Sequence, residues 1–320
     1  MLLFTALSKR SGGVRRLVLS AAAKINLALE VLGKRPDGYH EIATVMQAVD
    51  LSDRLVLEDA EVLELRASTP DVPTDGTNLA LRAARVLREA AGIERGVRIT
   101  LDKRIPVAAG LGGGSTDAAA ALIGLNRLWG LRWPAGRLAE LAVTLGMDVP
   151  FFLRGGAALG TGRGERLEPL VGGAFALALV SPRVGASTAE IYGRVTPEMY
   201  SDGSHARQMA AALRSRRPAT VARSLYNGLE RVAAARHPQV HQMQAALLAA
   251  GALGAAMSGS GLTVFGVARS LDHARQLRAR VSRASWECWA VRSLQGPAIR
   301  TRQYEPQGVA GLGPRRPRRA

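Results

Sequence analysis

The chain has 320 residues, 47% of them hydrophobic, which is enough to build a substantial core in one large or two ordinary domains and marks a globular protein. Its one cysteine, Cys288, excludes an internal disulfide and a thiolate zinc cluster and points to a reducing cytoplasm. The net charge of +17 comes largely from arginines scattered among alanines and glycines, with 4% aromatics, so no basic-aromatic patch argues for nucleic acid, and no apolar run reaches membrane-spanning length.

Residues 1–19 contain short apolar pieces broken by Lys9, Arg10, Arg15 and Arg16, without the charge order or cleavage site of a signal peptide, and are expected to be a flexible extension. An apolar strand is predicted over 17–32, with Lys24 inside it beside Asn26. A lysine in such a run either snorkels from an edge strand or serves a site. Pro36-Asp37-Gly38 then sets a turn that displays Tyr39, able to stack on a flat base, and His40, a surface residue or a hydrogen-bonder. Residues 50–66 suggest a hairpin, and Thr77 or Asn78 is an N-cap for a helix carrying Leu79, Ala83, Leu87 and Ala90. After a strand at 98–101, Lys103 either reaches toward the next loop or is solvated at the strand end.

That loop, Pro106-Val107-Ala108-Ala109-Gly110-Leu111-Gly112-Gly113-Gly114-Ser115-Thr116-Asp117, delivers four glycines to the start of a helix predicted over 117–129. Glycines admit positive φ and close approach, and a helix start offers free N–H groups, so the stretch reads as a phosphate cradle. It lacks the lysine of a P-loop and the spacing of a dinucleotide fingerprint. A helix over 135–145 stops at Gly146. Asp148 follows, ahead of Val149-Pro150-Phe151-Phe152, which is expected to be an apolar strand. Two readings of Asp148 stay open, a turn-stabilising carboxylate and a partly desolvated functional one. The second half interleaves strands at 174–180, 262–267 and 287–292 with helices starting at Thr188, over 204–229 with a break near Pro218, and over 240–250 and 272–280. Met257-Ser258-Gly259-Ser260-Gly261 precedes the middle strand, and 297–320, ending in Arg315-Arg316-Pro317-Arg318-Arg319, reads as a basic disordered tail.

The glycine stretch resembles the central motif of the GHMP kinases. Ala23-Lys24-Ile25-Asn26-Leu27, Arg35-Pro36-Asp37-Gly38-Tyr39-His40-Glu41 and Gly146-Met147-Asp148-Val149-Pro150-Phe151-Phe152 are similar to the branch acting on a cytidine-diphosphate-linked polyol, and the resemblance covers residues 20–295. It implies an α+β, two-domain GHMP kinase fold, with a ribosomal S5 domain 2-like N-terminal half over 20–170, a ferredoxin-like C-terminal half over 171–296, and the active site in the cleft between. By the same resemblance Lys24 and Asp148 are catalytic. ATP lies on Asn78, Lys103 and Pro106, Val107, Ala108, Ala109, Gly110, Leu111, Gly112, Gly113, Gly114, Ser115 and Thr116. Tyr39, His40, Asp148, Thr188 and Tyr192 contact the substrate, with the two tyrosines around the base. Ser115 or Thr116 offers a hydroxyl to Mg²⁺, although no carboxylate partner for the metal is identifiable and Thr116 stands where a second serine is frequent. The implied protein is a cytoplasmic monomer or homodimer that phosphorylates an alcohol of a small molecule and binds neither nucleic acid nor membrane. The competing readings are another GHMP small-molecule kinase, a non-catalytic ligand sensor on this fold, which would lack Lys24 or Asp148, and an RNA-binding protein with an S5-like half.

Overall fold

The computed structural model describes residues 16–304, with side chains described up to residue 301. The apolar run begins as β1 (Arg16–Lys34), paired antiparallel along its length with β2 (His40–Ala60). From Ala21 to Val31 every residue of β1 is buried. Continuous burial replaces the usual alternation because the strand is covered on both faces. Its start packs in one core with Leu55 and Leu57, its middle in a second with Leu177 and Phe265, and its end in a third with Met257 and Val264. Lys24 therefore stands at the centre of a covered strand, which excludes the edge-strand snorkelling reading.

The hairpin expected over 50–66 is not formed. Instead β3 (Leu63–Ala67) runs through α1 (Leu79–Ala91) to β4 (Gly96–Asp102), pairs with it in parallel, and β4 lies between β3 and β2. Two nearby apolar strands give the same local pattern in either arrangement, and only the crossover helix permits the parallel one. Asn78 caps α1 as expected, its side chain accepting from Ala80 N at 2.9 Å.

Past the glycine loop, α2 (Gly113–Leu128) starts four residues before the predicted Asp117, and the small side chains of Ala118 to Ala121, all fully buried, let it lie deep against α1 and β1. Next come α3 (Ala135–Leu145), as expected, and α4 (Val149–Arg154). The latter corrects the strand expected there. Pro150 suits a first helical turn, and a short apolar run does not distinguish the two states. Both rings are fully buried, with Phe151 edge-on to Phe152 at 5.3 Å. Glycines at 162 and 164 turn β5 (Ala157–Thr161) into β6 (Arg166–Leu170), and β5 pairs with β2.

The second half holds β7 (Ala176–Pro182), α5 (Thr188–Tyr192), α6 (Ser204–Arg214), α7 (Pro218–Arg223), β8 (Tyr226–Asn227), which pairs in parallel with β1 in the first sheet, α8 (Glu230–Arg236), α9 (Gln239–Ala249), β9 (Ala255–Met257), β10 (Val264–Ala268), α10 (Leu271–Val281) and β11 (Trp286–Arg292). Its antiparallel sheet has the order β11-β7-β10-β9. The chain then returns to the first sheet as β12 (Ile299–Tyr304), antiparallel to β1 from Arg16↔Tyr304 to Ala21↔Ile299. Residues 16–19 are thus strand and not extension, and 299–304 are strand and not tail; Arg315 to Arg319 and residues 1–15 lie outside the described residues. The alternating arginines of β12 read as tail because its partner lies some 280 residues earlier.

Removing residues 297–320 is expected to lower Tm by about 5 °C or more, since Ala298 and Ile299 leave the first core and β1 loses an edge partner. An unchanged Tm in a thermal melt would show that β12 contributes no stability.

Candidate active site

The glycine loop is held from two sides. On one, Lys24 N donates to Leu111 O at 3.0 Å, tying the loop to β1. On the other, the 257–261 motif packs backbone against backbone: a Cβ on Gly110 would lie 2.2 Å from Ser258 O, and one on Gly261 would lie 2.1 Å from Gly110 N. Side chains at these two positions would push the loop off its support. Ser258 Oγ completes the joint, donating to Gly110 O at 3.0 Å and accepting from Asn26 N at 3.2 Å. The loop so fixed opens α2 toward a cavity of about 530 Å³. The first turn of α2 has neither a side-chain cap nor an acidic residue, so its N–H groups and the positive end of the dipole face the cavity unpaired.

Pro106 to Gly110, Gly112 to Ser115, Asn78 and Lys103 border this cavity. Two predicted loop residues do not. Leu111 is 1% exposed and its side chain joins the second core, while Thr116 is fully buried on the inner side of α2 with Oγ1 unpartnered. Ser115 is consequently the hydroxyl that reaches the cleft. Asn78 borders the cavity with an amide already engaged, its Nδ2 donating to Pro73 O at 2.8 Å besides the cap.

Lys103 is buried and paired, not solvated at the strand end. Its ammonium lies beneath the loop between Asp53 Oδ2 at 2.5 Å and Asp117 Oδ2 at 2.8 Å. Asp53 also accepts from Arg104 N and Ile105 N. Burial pulls the Lys103 ammonium down, but Asp117 and Asp53 outweigh it and leave it above the usual lysine value. Burial pushes the Asp117 carboxyl up to about 7 against the pull of Lys103. The triad joins β2 at Asp53, the strand exit at 103–105 and the first turns of α2, the three pieces that frame the cradle.

Lys24 and Asp148 meet at the other end of the cavity. Register shifts in the β1–β2 pair at Ala22/Ala23 and Asn26/Ala28 bracket Lys24 and Asn26, and bulges of this kind re-aim side chains. Lys24 Nζ lies 3.2 Å from Asp148 Oδ2 and 2.7 Å from Asn26 Oδ1, and Asn26 Nδ2 in turn donates to Thr44 Oγ1 at 2.8 Å. The lysine side chain is 5% exposed and that of Asp148 37%, so a buried, oriented cation faces a carboxylate open to the cleft. Asp148 occupies the cap position of α4 yet makes no side-chain cap bond, which removes the turn-stabilising reading.

A second cavity of about 670 Å³ adjoins the first and is bordered by Tyr39, His40, Asp148, Thr188 and Tyr192. Tyr39 is 53% exposed, with the Arg163 guanidinium 5.0 Å from its ring centroid. Its loop is pinned by Arg35, which pairs with Asp37 and Glu41. The His40 ring is 5.4 Å from that of Tyr192. Burial, reinforced by Lys34, holds His40 below the usual imidazole value, so it is neutral near pH 7 and its buried Nε2 has no partner. Burial with the nearby Asp148 charge raises the Tyr192 phenol above its ordinary value, so it stays protonated.

Sequence reasoning missed Asn26 as a partner of Lys24, Asp53 and Asp117 as the counterparts of Lys103 under the loop, and Arg163 and Ser260 at the cleft. The two-residue spacing of Lys24 and Asn26 on one strand face was a usable signal. Asp53 and Arg163 carried none.

The GHMP kinases N terminal domain model matches residues 78–156, and the GHMP kinases C terminal model matches residues 209–288. A protein of Pelotomaculum thermopropionicum named 4-diphosphocytidyl-2-C-methyl-D-erythritol kinase is 47% identical over 277 residues, 86% of this chain and 96% of that one. One of the same name from Symbiobacterium thermophilum is 50% identical over 278 residues, 85% of this chain and 98% of that one. The crystal structure of a 4-(cytidine 5'-diphospho)-2C-methyl-D-erythritol kinase superimposes with a TM-score of 0.74 at 39% identity, covering 86% of this chain and 98% of that one. With both halves of the fold and most of the chain matched in this way, the chain belongs to the 4-diphosphocytidyl-2-C-methyl-D-erythritol kinase family of GHMP kinases.

Proposed function

We propose that the chain transfers the γ-phosphoryl group of ATP to the 2-hydroxyl of 4-diphosphocytidyl-2-C-methyl-D-erythritol, giving the 2-phosphate and ADP, a step of the methylerythritol phosphate route to isoprenoids. The observation that carries this reading is the Lys24–Asp148 pair where the two adjoining cavities meet. One cavity suits the phosphates of ATP and the other a substrate with a flat base.

Asp148 takes the proton of the acceptor hydroxyl as the oxygen attacks the γ-phosphorus, and the bond to the β–γ bridging oxygen breaks to release ADP. Lys24 orients that carboxylate, and Asn26 and Thr44 hold Lys24. The N–H groups of Gly113, Gly114 and Ser115 hold ATP phosphate oxygens, and the triad of Lys103, Asp53 and Asp117 keeps those donors in place. A Mg²⁺ ion fits as a companion of ATP: among the described residues no three His, Cys, Asp or Glu cluster to hold one, and of Ser115 and Thr116 the Ser115 hydroxyl is the one at the cleft. When bound, it neutralises phosphate charge.

Tyr39 and Tyr192 stack on cytosine, neutral His40 bonds its edge, and Thr188 contacts the substrate beyond. We assign residues 20–170 to an ATP-binding unit and 171–296 to a substrate-facing unit, with β12 returning to the first. The protein works in the cytoplasm as a monomer or homodimer without nucleic acid.

Stacking contributes about 1–3 kcal/mol per ring, so Tyr39→Ala and Tyr192→Ala are each expected to raise substrate KM about tenfold to a hundredfold while KM for ATP holds. Tyr→Phe is expected to be mild at both positions, and cytidine diphosphate to compete with the polyol substrate in steady-state kinetics. Absence of competition at millimolar cytidine diphosphate would leave a small-molecule kinase without the cytidyl pocket.

A further inference from the structure

Five residues border both cavities: Lys24, Ser115, Asp148, Thr188 and Ser260. A phosphoryl group that starts on ATP in one cavity and ends on an acceptor in the other passes this junction. Lys24, Ser115 and Asp148 have roles in the transfer itself above, and Thr188 has a substrate contact. Thr188 Oγ1 and Ser260 Oγ are 2.9 Å apart and brought from separate elements. Thr188 opens α5, while Ser260 belongs to the 257–261 motif.

The backbone that carries Ser260 is fixed by its neighbours. Gly261 lies against Ala109 and Gly110, and the Cβ direction of Gly259 points at Asn26 Oδ1, 3.0 Å away, and Lys24 Nζ, 3.4 Å away. Ser260 thus sits one residue from the phosphate loop on one side and one residue from the Lys24 cluster on the other. Of the two hydroxyls in Ser258-Gly259-Ser260, the first is fully buried and engaged with the backbone of Gly110 and Asn26. The second faces the cleft, where its one partner is another hydroxyl. A pair of this kind can turn a proton outward without leaving a buried group unsatisfied, because each oxygen both donates and accepts.

We propose that Ser260 is a further catalytic residue of the transfer, its hydroxyl donating a hydrogen bond to the oxygens of the phosphoryl group at the junction, and that Thr188 is the residue that positions it. The inference rests on the phosphoryl transfer proposed above. Ser260 keeps its proton throughout and forms no covalent bond. In the loose transition state charge spreads over the equatorial oxygens of the transferred group, and a preorganised donor there acts on kcat more than on binding.

The test is steady-state kinetics of Ser260→Ala, Ser260→Thr, Thr188→Ala, Thr188→Ser and the double alanine variant, on an acceptor that the wild type turns over. Ser260→Ala is expected to lower kcat about tenfold to a hundredfold, with both KM values within about threefold and Tm unchanged. Ser260→Thr and Thr188→Ser, which keep the hydroxyl, are expected to restore most of the rate. The double variant is expected to be no slower than Ser260→Ala alone, because the two act as a unit. Equal kcat in wild type and Ser260→Ala, a rise confined to KM, or a rate loss that tracks a lower Tm and is not rescued by threonine would overturn the role of Ser260. Wild-type turnover of another acceptor but not the cytidyl one would count against the substrate proposed above and leave the Ser260 comparison intact.

Discussion

Replacing Asp148 by asparagine is expected to lower kcat by about a hundredfold or more, the scale of a lost general base, while ATP and the polyol substrate still bind. Asparagine keeps the size of the side chain and can still accept from Lys24, so the geometry of the junction survives. What it loses is the capacity to take the acceptor proton. Lys24→Ala is expected to follow it in kcat with some added loss of ATP affinity, because the cation stands 3.2 Å from the carboxylate and also borders the ATP cavity. The check is a comparison of kcat with separately measured dissociation constants. An Asp148→Asn enzyme turning over near the wild-type rate would remove Asp148 from the mechanism.

The second large effect is one of stability. Lys103→Met would leave Asp53 and Asp117, both buried, facing each other without the ammonium that separates them. Breaking a buried ion pair by removing one partner costs about 3–5 kcal/mol, which for a chain of this length corresponds to a fall in Tm of roughly 4–7 °C. Adding Asp117→Asn to Lys103→Met is expected to recover part of the loss, since one of the two stranded charges is gone. If Lys103 were instead chiefly a ligand of ATP, the single variant would keep its Tm and raise the KM for ATP alone, and a thermal melt beside a kinetic assay separates the two.

The glycine loop, Lys24 and Asp148 were legible in the sequence because each breaks a local pattern: glycines at a helix start, a cation in an apolar strand, a carboxylate after a helix stop. What was illegible depended on partners distant in sequence or on phase. The Lys103 environment is made by Asp53, fifty residues earlier, which holds the lysine tightly in the fold and is silent in the local pattern. Ser115 and Thr116 could not be told apart, because which of two adjacent residues faces the cleft depends on where α2 begins, and it begins at Gly113 and not at Asp117. Leu111 looked like part of the cradle by position, yet its side chain turns into the core while its carbonyl accepts from Lys24 N. Residues 63–67 looked like half of a hairpin until β4 was seen to lie between β3 and β2. Residues 299–304 looked like tail for want of a neighbour, and β1 supplies one.

The claim at the centre of this account is phosphoryl transfer to a cytidyl-bearing polyol, and the measurement that tests it most directly is ADP release by the purified protein, with MgATP and each of 4-diphosphocytidyl-2-C-methyl-D-erythritol, mevalonate, phosphomevalonate and homoserine in turn. Turnover is expected with the first at a kcat/KM at least about a hundredfold above the others, since only that substrate fills the cavity between Tyr39 and Tyr192 and stacking alone supplies about 1–3 kcal/mol per ring. Equal or better turnover of an acceptor without a nucleobase, or ADP release that ignores the acceptor altogether, would contradict it.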